Sequence, residues 1–258
     1  MNMPNRISVE QPFLWSVFIL VVVGSFTLMR APNAFGVSPA PDGGYPGANT
    51  AEGDSAMSRI SSPGIYNTAV GWFALTSDTD GKYNTAIGAG TLLANTAEQN
   101  TATGAGALLT NTSGRSNTAN GAFALFSSTQ GSDNTATGDF TLFRNTTGNH
   151  NTANGASALF SNTTSSSNTA IGDSALLNST GGNDTALGFT AGNNVTTASN
   201  VICIGSPGQN VDNSCYIGNV SGADASGGDE VFITSDGKLG TVNPPFFSAL
   251  QGRDQTDG

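Results

Sequence analysis

The phrase N-T-A-x-G returns along the chain at a nearly fixed spacing, and no other feature restricts the fold as strongly. Full copies stand at Asn84-Thr85-Ala86-Ile87-Gly88, Asn117-Thr118-Ala119-Asn120-Gly121 and Asn168-Thr169-Ala170-Ile171-Gly172. The closing glycine recurs at Gly53, Gly71, Gly88, Gly104, Gly121, Gly138, Gly155, Gly172, Gly188 and Gly205, in steps of 18, 17, 16, 17, 17, 17, 17, 16 and 17 residues. A unit this short cannot bury an apolar face by itself and has to stack on its neighbours. Residues 49–218 therefore read as a solenoid of about ten coils of 16–18 residues.

Aligning the copies, with the first residue of the phrase as position zero, turns the repeat into columns. Position one is Thr at Thr50, Thr68, Thr85, Thr101, Thr118, Thr135, Thr152, Thr169 and Thr185, and position two is Ala from Ala51 to Ala186 before becoming Cys203. Position eight is Met57, then Leu75, Leu92, Leu108, Leu125, Leu142, Leu159 and Leu176. Position nine is Leu93, Leu109, Phe126, Phe143, Phe160 and Leu177 through the middle of the repeat. Asn and Thr are poor helix formers and no stretch of a unit is long enough for a helix. The fold class is thus all-β: a parallel β-solenoid or β-roll in which each coil holds two or three short strands. Stacked at about 4.8 Å, ten coils give a rod of roughly 50 Å.

Two columns are candidate surfaces. Thr85, Thr101, Thr118, Thr135, Thr152 and Thr169 would line a flat Thr face, with a further Thr column at position twelve from Thr79 to Thr196. Because side chains alternate across a strand, positions eight and nine should face opposite ways. If Leu fills the coil, then Leu93, Leu109, Phe126, Phe143, Phe160 and Leu177 form an outward apolar stripe suited to self-association. A bend between the two positions would instead turn both inward.

The flanks are different text. Arg6 precedes an apolar run over residues 13–29, followed by small residues at Ala31 and Ala34. Residues 1–34 read as a secretory signal cleaved after Ala34, or as a retained amino-terminal anchor, which would be the chain's one link to a membrane. Residues 35–48 are a Pro- and Gly-rich lead-in, 219–230 a Gly and Ser linker, 231–242 a β-hairpin around Ser235-Asp236-Gly237, and 243–258 a tail. A secreted or cell-surface location follows from the leader.

The chemistry of the chain points away from catalysis. Charged residues are 10% of the total against a usual quarter, and the formal net charge is -10. That balance disfavours nucleic acid and anionic lipid, which need clustered Lys and Arg. His150, the single histidine, sits in the turn T-G-N-H-N, and Asp54, Asp139 and Asp173 share position five without a base. The turn Asp78-Thr79-Asp80-Gly81 holds carboxylates that ordinary turn chemistry explains. No metal, phosphate or cofactor motif occurs, so no cofactor and no enzymatic activity are expected. Cys203 and Cys215 are the two cysteines, and export leaves open either a disulfide between them or two small buried residues.

At N-T-A-I-G in residues 84–88 and 168–172 the chain resembles the repeated N-S-V-A-I-G motif of trimeric autotransporter adhesin heads. That likeness implies a left-handed parallel β-roll wound as a homotrimer. The chain departs from the motif where Thr85 and Thr169 replace Val, and where Thr103, Asn120, Thr137 and Asn154 replace Ile. Residues 49–242 are also similar to secreted bacterial proteins built from NTAxGxxALxxNTTGxx units, which usually continue into an endosialidase-type intramolecular chaperone. Here N-P-P-F-F-S-A-L-Q-G-R-D-Q-T-D-G follows the last phrase instead. The resemblance implies an exported, noncatalytic surface or fibre module, homotrimeric, with a surface glycan or protein receptor. The alternative is a monomeric solenoid that binds an ordered lattice, ice or crystalline polysaccharide, through its Thr columns.

Overall fold

The computed structural model describes residues 47–60 and 64–218, together with two short strands at Val231–Ile233 and Leu239–Thr241. The signal or anchor segment, most of the lead-in, the linker and the tail lie outside the described residues. Eleven three-residue strands follow one another up the rod. They are β1 (Thr50–Glu52), β2 (Thr68–Val70), β3 (Thr85–Ile87), β4 (Thr101–Thr103), β5 (Thr118–Asn120) and β6 (Thr135–Thr137). Then come β7 (Thr152–Asn154), β8 (Thr169–Ile171), β9 (Thr185–Leu187), β10 (Ile202–Ile204) and β11 (Cys215–Ile217). All are parallel and each pairs with the next, giving one sheet in the order β1 to β11. The fold is a β-solenoid of about ten turns, as the spacing predicts. Val231–Ile233 (β12) and Leu239–Thr241 (β13) pair antiparallel, Phe232 opposite Gly240, in the segment expected to form a hairpin.

The register stacks like on like. Thr118 pairs with Thr135 and Ala119 with Ala136, and the same pairing holds from β1 to β9. The period-two alternation of a strand sends Ala inward and its two neighbours outward. Alanine suits a thin interior because its small Cβ lets the facing wall of the coil come close. That wall carries the Leu column, and Leu75, Leu92, Leu108, Leu125, Leu142, Leu159 and Leu176 are all fully buried.

One expectation is corrected. Each coil contains one three-residue strand, not two or three. The rest of the coil is turns, yet it is bonded from coil to coil as a strand would be: Leu108 N–H to Ala124 O at 3.0 Å, Gly106 N–H to Ala89 O at 2.9 Å, His150 N–H to Ser132 O at 3.1 Å. The reason lies in the backbone. In the coil that begins at Asn134, Gly138, Phe140, Leu142 and His150 all have positive φ. Isolated left-handed residues bend the chain before any extended run can lengthen. Holding a leucine at φ near 51° costs roughly 1–2 kcal/mol. Full burial of its side chain contributes about 1.5–3 kcal/mol, which offsets that cost.

The closing glycine is required by space as well as by φ. At Gly138 the backbone has φ 123°, and a Cβ built there would sit 2.7 Å from the carbonyl carbon of Gly155 in the next coil. A side chain at this position would push adjacent coils apart from Gly53 to Gly172, whereas at Gly188 and Gly205 there is room and the positive φ alone favours glycine.

The position-zero asparagines form an internal ladder. The Asn134 N–H donates to Asn117 Oδ1 at 3.0 Å, and the Asn151 N–H to Asn134 Oδ1 at 3.0 Å. Each Nδ2 in turn donates to the closing turn of its own coil, as Asn117 does to Gly131 O at 2.8 Å. A buried amide is tolerated only when both ends are bonded, and here both are. Asp184 takes the same place in its coil, accepting from the Val201 N–H at 2.9 Å through Oδ1.

Candidate interaction faces

The outer surface of the sheet is built from positions one and three. Thr101, Thr118, Thr135 and Thr152 are exposed, while Thr85 and Thr169 are half-buried. Among the described residues, the hydroxyls of these six make no hydrogen bond within the chain. The column beside them is Thr103, Asn120, Thr137 and Asn154 in the middle of the rod. Elsewhere it becomes Ile87, Ile171, Leu187, Ile204 and Ile217, between 41% and 51% exposed. The face is therefore hydroxyl and amide at its centre and apolar over β8 to β11. Sequence reading registered the polar centre and missed how far the apolar end is uncovered. Phe189, 74% exposed and two residues beyond Leu187, adds to that end.

The Thr column at position twelve behaves differently. Thr96 Oγ1 donates to Thr112 O at 2.7 Å, Thr112 Oγ1 to Thr129 O at 2.9 Å, and Thr146 Oγ1 to Thr163 O at 3.0 Å. These hydroxyls tie one coil to the next, so they serve the rod rather than a partner. Among the described residues, the position-one column presents its hydroxyls unused in every middle coil, Thr101, Thr118, Thr135 and Thr152 in succession.

On the opposite side of the Leu column lies an aromatic stripe. Leu93, Leu109, Phe126, Phe143, Phe160 and Leu177 are half-buried; the left-handed turn at the buried leucine before each of them, rather than strand alternation, separates the two columns. Phe126 and Phe143 stack with ring centroids 5.2 Å apart, and Phe143 and Phe160 at 5.3 Å. A second aromatic column stands alongside at position six. Phe123 and Phe140 stack at 5.3 Å and touch Phe126 and Phe143 at 5.7 Å each. Their membership was legible in the three-residue spacing of F-A-L-F at 123–126 and F-T-L-F at 140–143, but only the second Phe of each was picked out. The guanidinium of Arg144 lies over the Phe160 ring, 5.3 Å from its centroid.

Titratable groups are scattered or locked into the ladders. His150 Nδ1 lies 3.9 Å from Asp133 Oδ2, both side chains more than half exposed. Asp139 accepts the Ala122 N–H of the preceding coil at 3.0 Å, and Asp173 accepts the hydroxyl of its neighbour Ser174 at 2.6 Å, so each is engaged within the rod. Asp78 is fully buried at position eleven, where it accepts from the Gly81 N–H at 2.8 Å and from Asn84 Nδ2 at 3.2 Å. Burial pushes its carboxyl up from 3.8 to about 6. Burial also raises the Asp184 carboxyl. Among the described residues, no three His, Cys, Asp or Glu side chains gather to hold a metal ion, and no helix is long and apolar enough to cross a membrane.

The cysteines are not bridged. The register sets Cys203 opposite Tyr216 and Ile202 opposite Cys215. Cys203 is thus at an inward position and buried, while Cys215 is at an outward position and exposed, and both are free thiols. Strand alternation puts the two sulfurs on opposite sides of the sheet, which overturns the disulfide alternative. Burial pushes the Cys203 thiol above its ordinary range, away from the reactive thiolate.

No protein-family model matches the chain, and neither a curated protein nor a solved structure matches it.

Proposed function

We propose that this chain is an exported, noncatalytic rod, a surface or fibre module with adhesive or structural work, which self-associates as a homotrimer through its aromatic stripe. The observation that carries the reading is the five-ring cluster of Phe123, Phe126, Phe140, Phe143 and Phe160, stacked on the outside of an already filled Leu core. Rings in that place add little to the interior and present a contiguous apolar surface of the kind that marks partner sites. The copy number of three comes from the likeness to adhesin heads, and so does the expectation of a glycan or protein receptor. The leader at residues 1–34 supports a secreted or cell-surface location. Light scattering on the chain without that leader tests the assembly. A mass near three times that of one chain, falling to one on Phe143→Asp, is the expected result; a monomer before and after the substitution sinks it.

A second reading has its own support. The unused hydroxyls of Thr101, Thr118, Thr135 and Thr152 lie on successive parallel strands in register, so hydroxyl and methyl repeat at the strand spacing of about 4.8 Å. A planar periodic array of that kind suits an ordered lattice, with ice as the simplest. Thermal hysteresis lost on Thr135→Lys would favour this reading over the first.

A further inference from the structure

The second buried polar column, at position eleven, is an amide ladder with a gap. Asn111 Nδ2 donates to Asn95 Oδ1 of the preceding coil at 2.7 Å, and Asn162 Nδ2 donates to Asn145 Oδ1 at 3.0 Å. Each also donates its other proton to its own closing turn, Asn111 to Gly114 O at 2.9 Å and Asn162 to Ser165 O at 3.0 Å. Between Asn111 and Asn145 the column holds Ser128, fully buried like both asparagines. A serine side chain ends where the carboxamide of an asparagine begins, so it reaches neither neighbour. Asn111 Oδ1 and Ser128 Oγ are left buried with no hydrogen bond, and Asn145 Nδ2 donates only to Gly148 O, at 3.0 Å.

These are three groups aimed at one place in the interior: an acceptor from the coil below, a hydroxyl from the same coil, and a spare amide proton from the coil above. We infer that Ser128 marks an internal site for one water molecule. The water donates to Asn111 Oδ1, accepts the second proton of Asn145 Nδ2, and bonds the Ser128 hydroxyl. Three polar partners are what a buried water in a folded protein typically has. A hydrophobic residue at 128 would leave two of these groups permanently unbonded, whereas serine with water completes the run from Asn95 to Asn162. The other serine of the column, Ser179, is a different case: its hydroxyl donates to Asp184 Oδ2 at 3.0 Å, so it is already engaged while the Asn162 Oδ1 of the preceding coil has no hydrogen bond.

The test is water-proton relaxation dispersion, which counts long-lived internal water, on the full chain and on Ser128→Asn. The asparagine supplies the missing carboxamide, so the variant should lose one long-lived water and shift its melting temperature upward. An unchanged count overturns the assignment, as does a crystal structure in which Asn111 Oδ1 bonds the Ser128 hydroxyl directly. Should Ser128→Asn fold poorly, Ser128→Gly keeps the question open to measurement. That variant enlarges the space while retaining Asn111 and Asn145, so it should hold at least one long-lived water, and none would count against the site.

Discussion

Leu142 and Phe143 are neighbours in sequence and occupy opposite environments. Leu142 is fully buried in the coil, and Phe143 stacks outside it between Phe126 and Phe160 at 5.2 and 5.3 Å. The pair separates stability from assembly. Leu142→Ala should lower unfolding stability by about 2–5 kcal/mol, the range for a buried leucine whose cavity cannot fully collapse. Phe143→Asp should leave the melting temperature of dilute protein far less changed while abolishing higher-mass species. Denaturation and light scattering on both variants check the contrast.

The asparagine ladder should resist truncation. Removing the Asn134 side chain strips the partner from the Asn151 N–H, whereas Gly148 O keeps its bond from Asn145 Nδ2. The Asn151 N–H is then orphaned and Asn151 Nδ2 keeps only its bond to Ser165 O, at a cost of about 1–3 kcal/mol for the orphaned N–H, plus the second lost bond and the lost packing of the amide. Asn134→Ala is expected to lower the urea midpoint accordingly. A midpoint unchanged from the parent would mean that the ladder does not hold the coils.

Stability should fall as pH rises through the titration of Asp78. The folded chain holds this carboxyl at about 6 against an ordinary 3.8, so it binds the proton more tightly than the unfolded chain does. A raised folded value makes the stabilising form the protonated one, and the loss runs between about pH 3.8 and pH 6 and then levels. Asp184 acts in the same direction. Asp78→Asn should flatten much of this slope and stabilise at neutral pH by on the order of 2 kcal/mol, at about 1.4 kcal/mol per unit. Melting temperatures across pH 3 to 8 for both proteins provide the comparison.

How much of this could be read before the fold was seen follows from which property each residue reports. The coil count and the inward Ala and Leu columns depend on period, which a sequence displays directly, whereas the direction of Phe126, Phe143 and Phe160 was open between an outward stripe and a bend. The number of strands per coil does not. It is set by left-handed residues such as Leu142 and Phe140, neither of which is a residue type that announces positive φ. The two Thr columns looked alike on the page, yet position twelve spends its hydroxyls on the next coil and position one does not. That difference depends on which way the neighbouring carbonyl points. The cysteine pair was open for a similar reason: only the register shows that Cys203 and Cys215 fall on opposite faces.

Thiol chemistry gives a simple check of that register. A water-soluble alkylating reagent should modify Cys215 in the folded protein and reach Cys203 only on unfolding. Migration on a gel should be the same with and without reductant. Protection of both thiols, or a reductant-dependent shift, would contradict the assigned faces.

Gly138→Ala tests the close approach between coils. A methyl group there meets the Gly155 carbonyl in a backbone conformation that alanine disfavours. The expected loss exceeds about 1 kcal/mol, the scale on which Gly→Ala helps when φ is compatible. The urea midpoint of the variant measures it.

The strands lie across the rod and their hydrogen bonds run along it, so a pull on the two ends loads those bonds head-on, one coil at a time. Such a geometry yields by peeling. Each coil that lets go would pay out roughly 55–60 Å of chain, from about 17 residues at the extended rise, before the next takes the load. A tether of this build gives way in small even steps and absorbs work over a long extension, where a sheared sandwich of strands would hold and then break at once.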